Sequence, residues 1–126
     1  MDLLSASGAP AAVGPYSHAV RAGGFLFCSG QVALDPEAGV LVGESVEDQT
    51  RQVFANIRAV LKEAGLGLTD IAKTTVFLQS MDDFSAMNGV YAEAFGEHRP
   101  ARSTVAVAGL PVGARVEIEV VALLGE

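Results

Sequence analysis

The chain of 126 residues is 50% apolar and carries eight Lys and Arg against fifteen Asp and Glu, for a formal net charge of −7. That balance argues against sequence-independent nucleic-acid binding, which neutralises phosphates with basic side chains. No apolar run approaches the roughly 18–20 residues that span a bilayer, so no membrane partner is expected.

The first 16 residues are rich in Ala, Gly and Pro, and Gly14-Pro15 marks a turn. The start lacks a basic region followed by a long apolar stretch, so no secretory signal is expected. Residues 20–22 and 25–29 read as strands around Gly23-Gly24, a two-residue hairpin signal. Asp35-Pro36-Glu37-Ala38-Gly39 reads as a turn. Ser45 opens the clearest helix, with Asp48 in a spacing like that of a capping box. Val46, Val53, Ile57, Val60, Leu61 and Ala64 recur at helical spacing, and Gly65 stops it. Residues 71–78 are β-branched and strand-like. Asp82-Asp83 caps a second helix that reaches about Phe95 and ends at Gly96. Strands are predicted over 101–108 and 115–124, with 109–113 as a loop. The order predicts an α+β layer with two helices on one sheet face.

One domain covers residues 1–126 at this length. A chain so short, with a mean hydropathy of +0.37, cannot easily hide its apolar surface alone. A symmetric homo-oligomer is therefore expected. The single cysteine excludes an intramolecular disulfide, and neither it nor the two isolated histidines has metal-ligand spacing. A reducing compartment, the cytoplasm, is the natural expectation.

Arg102 is the informative charge, because it lies in an extended run of small and β-branched residues, Pro100-Ala101-Arg102-Ser103-Thr104. A guanidinium within a sheet needs a partner. The partner is either a neighbouring carboxylate or the carboxylate of a small ligand held by a two-pronged hydrogen bond. The last strand alternates, with Val116, Ile118, Val120, Ala122 and Leu124 on one face and Glu117, Glu119, Val121 and Leu123 on the other. A hairpin of the last two strands around Gly109-Leu110 sets Arg102 opposite Glu117. The plain structural alternative is then a cross-strand ion pair that serves packing alone.

Other candidates are weaker singly. Tyr16 offers either a phenol to a ligand or an anchor in the core. Ser29-Gly30 ends a strand and either faces a cleft or makes an ordinary turn. Asn88 lies on the second helix, at a position equally suited to solvent. Cys28 reads as a small buried hydrophobe with no histidine beside it. No serine or cysteine triad, P-loop or dinucleotide fingerprint is present.

Taken in order, Gly14-Pro15-Tyr16-Ser17, Ser29-Gly30-Gln31, Lys73-Thr74-Thr75-Val76-Phe77-Leu78, Asp83-Phe84 with Asn88 and Tyr91, Arg99-Pro100-Ala101-Arg102-Ser103 and Val116-Glu117-Ile118-Glu119 resemble the RidA (YjgF) family. The resemblance runs along essentially the whole chain. It implies a chorismate-mutase-like α+β fold and a homotrimer whose sheets form an inner barrel, with three ligand clefts between subunits. It also implies hydrolysis of reactive enamines and imines, such as 2-aminoacrylate and related 2-imino acids, to 2-keto acids and ammonia, with no cofactor and no metal.

In that pattern Arg102 binds the substrate carboxylate and Glu117 places or activates water. Tyr16, Ser29, Gly30 and Asn88 match its cleft-lining positions. The mechanism expected on that basis has the Gly30 carbonyl and Thr104 N–H hold the nitrogen and carboxylate ends. Two departures stand out: archetypal members carry cysteine at the position of Thr104, and the segment between Phe95 and Pro100 is a few residues shorter here. A threonine keeps the backbone N–H but alters the size and polarity of the cleft. The rival reading is a trimer that binds keto or amino acids, or regulates, without turnover. Ribonuclease or chaperone activity is ascribed to some relatives, and the acidic charge disfavours the ribonuclease.

Overall fold

Gly23 and Gly24 both take positive φ, 57° and 84°, as a tight two-residue hairpin turn requires. They join β2 (Ala19–Ala22) to β3 (Phe25–Gln31), and β1 (Asp2–Leu4) adds to the outer side of β2. The computed structural model describes residues 1–125. With β4 (Ile71–Leu78), β5 (Ala101–Ala106) and β6 (Val116–Leu123), these strands form one mixed sheet in the order β1-β2-β3-β6-β4-β5. The α+β architecture predicted from the sequence is the one observed. β1 is not anticipated by the sequence reading, since the composition around it signals loop; its buried Leu4 packs into the core.

Helix α1 (Val46–Glu63) begins where Ser45 Oγ accepts the Asp48 N–H at 3.1 Å, a cap worth about 1 kcal/mol. Gly65 follows its end with φ 74°, a backbone conformation that a side chain would strain. Helix α2 (Phe84–Phe95) is preceded by a short 3-10 turn, Met81–Asp83, and ends at Gly96. Both helices lie on one face of the sheet. Val53, Phe54, Ile57 and Leu61 of α1 and Met87, Tyr91 and Phe95 of α2 bury Leu26, Val76, Leu78, Ile118 and Val120 beneath them. Phe54 meets Tyr91 and Phe95 edge-on, with centroids 5.7 and 5.5 Å apart. Such pairs add about 0.5–1.5 kcal/mol each to the burial itself.

The predicted hairpin of the last two strands does not form. β5 pairs with β4 in parallel, Arg102 opposite Thr74, while β6 lies between β3 and β4 and is antiparallel to both. The reason is topological. Strand, helix and strand, β4-α2-β5, make a crossover unit, and a crossover returns the chain parallel to its starting strand. β6 then takes the central position, which its apolar alternation suits: Val116, Ile118, Val120 and Ala122 are all buried.

Candidate active site

Register decides where the charged groups go. Arg102 and Thr104 sit opposite Thr74 and Val76, both buried under the helices, so the two side chains share the helix-covered face. There α2 receives the guanidinium. Arg102 Nη1 donates to Asn88 Oδ1 at 2.5 Å, and Cζ lies over the Tyr91 ring, 4.7 Å from its centroid, and 5.5 Å from that of Phe84. Tyr91 is itself fixed, its hydroxyl hydrogen-bonded to Thr74 Oγ1 at 2.7 Å. Every partner of this guanidinium is neutral, and no carboxylate pairs with it among the described residues. The expected cross-strand pair with Glu117 is absent because β4 separates the two strands.

Arg102 lines an open cleft of about 410 Å³ together with Asn88, Tyr91, Ala92, Arg99 and Pro100. Tyr91 and Arg99 are not singled out as site residues by the sequence reading. The available signal for Tyr91 is its spacing of three from Asn88, which sets both on one helix face. Thr104 follows on the same strand, and its Oγ1 is shielded from solvent without a hydrogen-bond partner. The Val107 N–H donates to Leu78 O of β4. Backbone groups alternate sides along a strand, so the N–H groups of Arg102 and Thr104 point to the free edge of β5.

A second group assembles elsewhere. Pairing of β3 with β6 slips between Cys28 and Gln31, making a bulge at Ser29-Gly30 beside Glu119 and Ile118. Gly30 lies tight against Glu117: a Cβ there would fall 2.6 Å from Glu117 Oε2 and 2.9 Å from its Cδ. Ser29 Oγ donates to Ser17 O at 2.7 Å, tying the bulge to the loop that carries Tyr16, itself half exposed. Glu117 is on the bare face of the sheet, opposite Phe77. Partial burial, and then the neighbouring Glu119 charge, push its carboxyl above the usual carboxylate range.

The predicted site residues thus fall into two clusters. Asn88, Arg102 and Thr104 form one; Tyr16, Ser29, Gly30 and Glu117 form the other. Arg102 and Glu117 are two strands apart, offset by three residues, and on opposite faces. At about 4.8 Å per strand and 3.3 Å per residue their Cα atoms are roughly 14 Å apart. One chain does not bring them to a common small ligand.

Comparison with known proteins extends this. A family model described as endoribonuclease L-PSP matches residues 6–124. The chain belongs to this family, known also as the RidA or YjgF family. Among its L-PSP relatives, the RutC family protein PH0854 of Pyrococcus horikoshii is 49% identical over 96% of this chain and 96% of its own. The human 2-iminobutanoate/2-iminopropanoate deaminase is 42% identical over 98% of this chain and 90% of its own. A solved structure of Escherichia coli TdcF with bound serine superposes with a TM-score of 0.93 at 38% identity, covering 99% of this chain and 100% of that one.

The remaining reactive side chains of this family member are occupied or shielded. His18 is buried, its Nδ1 accepting the Ala6 N–H at 2.9 Å and its Nε2 2.7 Å from Pro10 O. Burial within the sheet pushes the Cys28 thiol up to about 12, as expected of a structural cysteine. No group of three metal-ligating side chains occurs, and no helix is long and apolar enough to cross a membrane, among the described residues.

Proposed function

We propose that this protein is a hydrolase of reactive 2-imino acids, and of enamines such as 2-aminoacrylate that tautomerise to them, releasing 2-keto acids and ammonia. The observation that carries the reading is Arg102: a guanidinium oriented by Asn88 and Tyr91, with no carboxylate among the described residues to neutralise it. Such a group is poised for a carboxylate from outside. The deaminase names of relatives at 42–45% identity support the same chemistry.

The two clusters come together when a second copy sets its Glu117 side against the free edge of β5. A homotrimer with clefts between subunits meets that need. It also covers the bare sheet face, where Phe27, Val105 and Leu123 are 47%, 45% and 53% exposed. In this assembly Arg102 and the Thr104 N–H hold the substrate carboxylate, and backbone at the Ser29-Gly30 bulge receives the nitrogen. Tyr16 closes the rim. Glu117 takes a proton from water as the oxygen adds to the imine carbon, and returns it to nitrogen. Glu117 then takes the hydroxyl proton of the resulting carbinolamine and passes it to nitrogen, the C–N bond breaks, and ammonia leaves as the keto group forms. A carboxyl with a raised pKa serves both transfers better than an ordinary one. No cofactor and no metal is required, and a reducing cytoplasm is a fitting location.

Release of ammonia and keto acid from an enamine generated in situ tests the proposal. Acceleration over the uncatalysed rate is expected. A second reading, amino- or keto-acid binding without turnover, draws on the serine bound by the Escherichia coli neighbour. Retained binding of pyruvate with no acceleration selects it.

A further inference from the structure

The cleft beside Arg102 holds a second cation. Its lining includes the guanidinium side chains of Arg99 and Arg102 and no acid, in a chain where fifteen acids outnumber eight bases. Arg99 is fixed in place by the short connection from α2 to β5, residues 96–100. Its Nη1 donates to the carbonyls of Gly96 and His98, at the end of α2, and Pro100 disfavours helical backbone at Arg99. Capping the last helical turn is the ordinary use of an arginine here. That use engages Nη1 only. Nη2 and Nε have no acceptor among the described residues, and Arg99 lines the cleft.

Resting on the deaminase reading for its chemistry, we propose that Arg99 makes this a site for 2-imino dicarboxylates. Arg102 takes the carboxylate next to the imine, and Arg99 takes the distal one. Three residues of extended chain separate the two arginines by at most about 10 Å between Cα atoms. Two guanidinium groups lining one cleft from that distance suit a four- or five-carbon diacid. In the single chain the cleft of about 410 Å³ is open, and Arg99 and Arg102 both line it, so the distal carboxylate has room beside the first. The hydrolysis is unchanged: water adds at the imine carbon, ammonia leaves, and the product is a 2-keto dicarboxylate. An enzyme that oxidises the amine of an acidic amino acid, or eliminates a β-substituent from one, is the class of reaction that supplies such a substrate.

The test compares 2-iminosuccinate with 2-iminopropanoate, each made in situ by an amino-acid oxidase, and in parallel the binding of oxaloacetate and pyruvate by calorimetry. The expected results are a higher kcat/KM for iminosuccinate and tighter binding of oxaloacetate. Arg99→Gln should cut both ratios about tenfold, the scale of one charge-assisted hydrogen bond. Equal treatment of the two substrates and ligands overturns the proposal. So does an Arg99→Gln protein in which both substrates lose equally, since that marks a structural role. If neither imine is hydrolysed, yet oxaloacetate binds better than pyruvate through Arg99, the dicarboxylate site stands and the deaminase reading falls.

Discussion

The guanidinium of Arg102 sits over the ring of Tyr91, and the Tyr91 hydroxyl is bound in turn to Thr74, one strand inward from Arg102 itself. This closed loop of contacts between β4, α2 and β5 sets the direction of the fork. It also separates two roles that an arginine in a sheet can have. A stabilising ion pair loses stability when broken, whereas a ligand fork over a neutral ring loses function.

Arg102→Lys and Arg102→Ala should remain folded and lose most turnover. A lysine keeps the charge but not the planar pair of donors. The lost contact costs on the order of 2–4 kcal/mol, a drop of roughly 30- to 1000-fold in kcat/KM. Melting temperature and turnover measured on the same preparations check this. An unstable but fully active Arg102→Ala protein defeats the assignment.

Gly30→Ala should preserve the fold and impair catalysis. A Cβ at that position meets Glu117 Oε2 at 2.6 Å, and the carboxylate is the far end of a side chain that can move away. Displacing it by even about 1 Å misplaces the proton relay, with a loss of about 100-fold in kcat. Unchanged kcat with a normal circular dichroism spectrum contradicts a role for Glu117 at this place.

Glu117 links activity to stability through its raised pKa. The folded state holds the Glu117 proton more tightly than the unfolded chain does. Its contribution to stability is therefore greatest below the ordinary carboxylate range and is lost as pH rises through the raised pKa. Glu117→Gln should melt higher than the parent near neutral pH, with the gap closing at about pH 4. The same variant should lose turnover at every pH, whereas the parent gains kcat/KM as the carboxyl ionises. Melting curves and rates across that range decide it.

Thr104→Val should hold or raise stability by up to about 1 kcal/mol, because the buried hydroxyl it removes has no partner. Turnover should survive, since the backbone N–H is kept. Thr104→Cys should likewise remain active while shifting preference among imino acids. Loss of all turnover in a folded Thr104→Val protein assigns chemistry to the hydroxyl.

Sedimentation at micromolar concentration should give a trimer. Phe27→Asp charges the bare face of the sheet at a residue that is 47% exposed in the single chain, so it should yield a folded, inactive monomer. A monomeric parent with full activity removes the need for a second copy at the site.

Much of this fold is legible in the sequence. α1 announces itself through its cap, its apolar period and Gly65, and residues 71–78 match β4 to the residue. Strand pairing is less legible. Alternation says which side of β6 is buried but not which strand lies beside it, and the short loop before β6 suggests a hairpin. The helix between β4 and β5 is the better guide, because it calls for a parallel return. The site divides in the same way. A charge inside a strand is conspicuous, so Arg102 stands out. Its partners do not, because they depend on which face of β5 meets α2. Ser29-Gly30 reads as a strand end, yet β3 continues to Gln31 through a bulge that period-two patterning hides.

Cys28 is the chain's only thiol; it is held within the sheet one residue before the Ser29-Gly30 bulge and does not line the Arg102 cleft of its own chain. Burial pushes its pKa up to about 12, so the thiol stays protonated at neutral pH. Imines and oxidants therefore meet a partly buried, protonated thiol there and not a thiolate. For the imine hydrolase proposed above, the consequence is a chemistry on electrophiles that does not depend on a thiol.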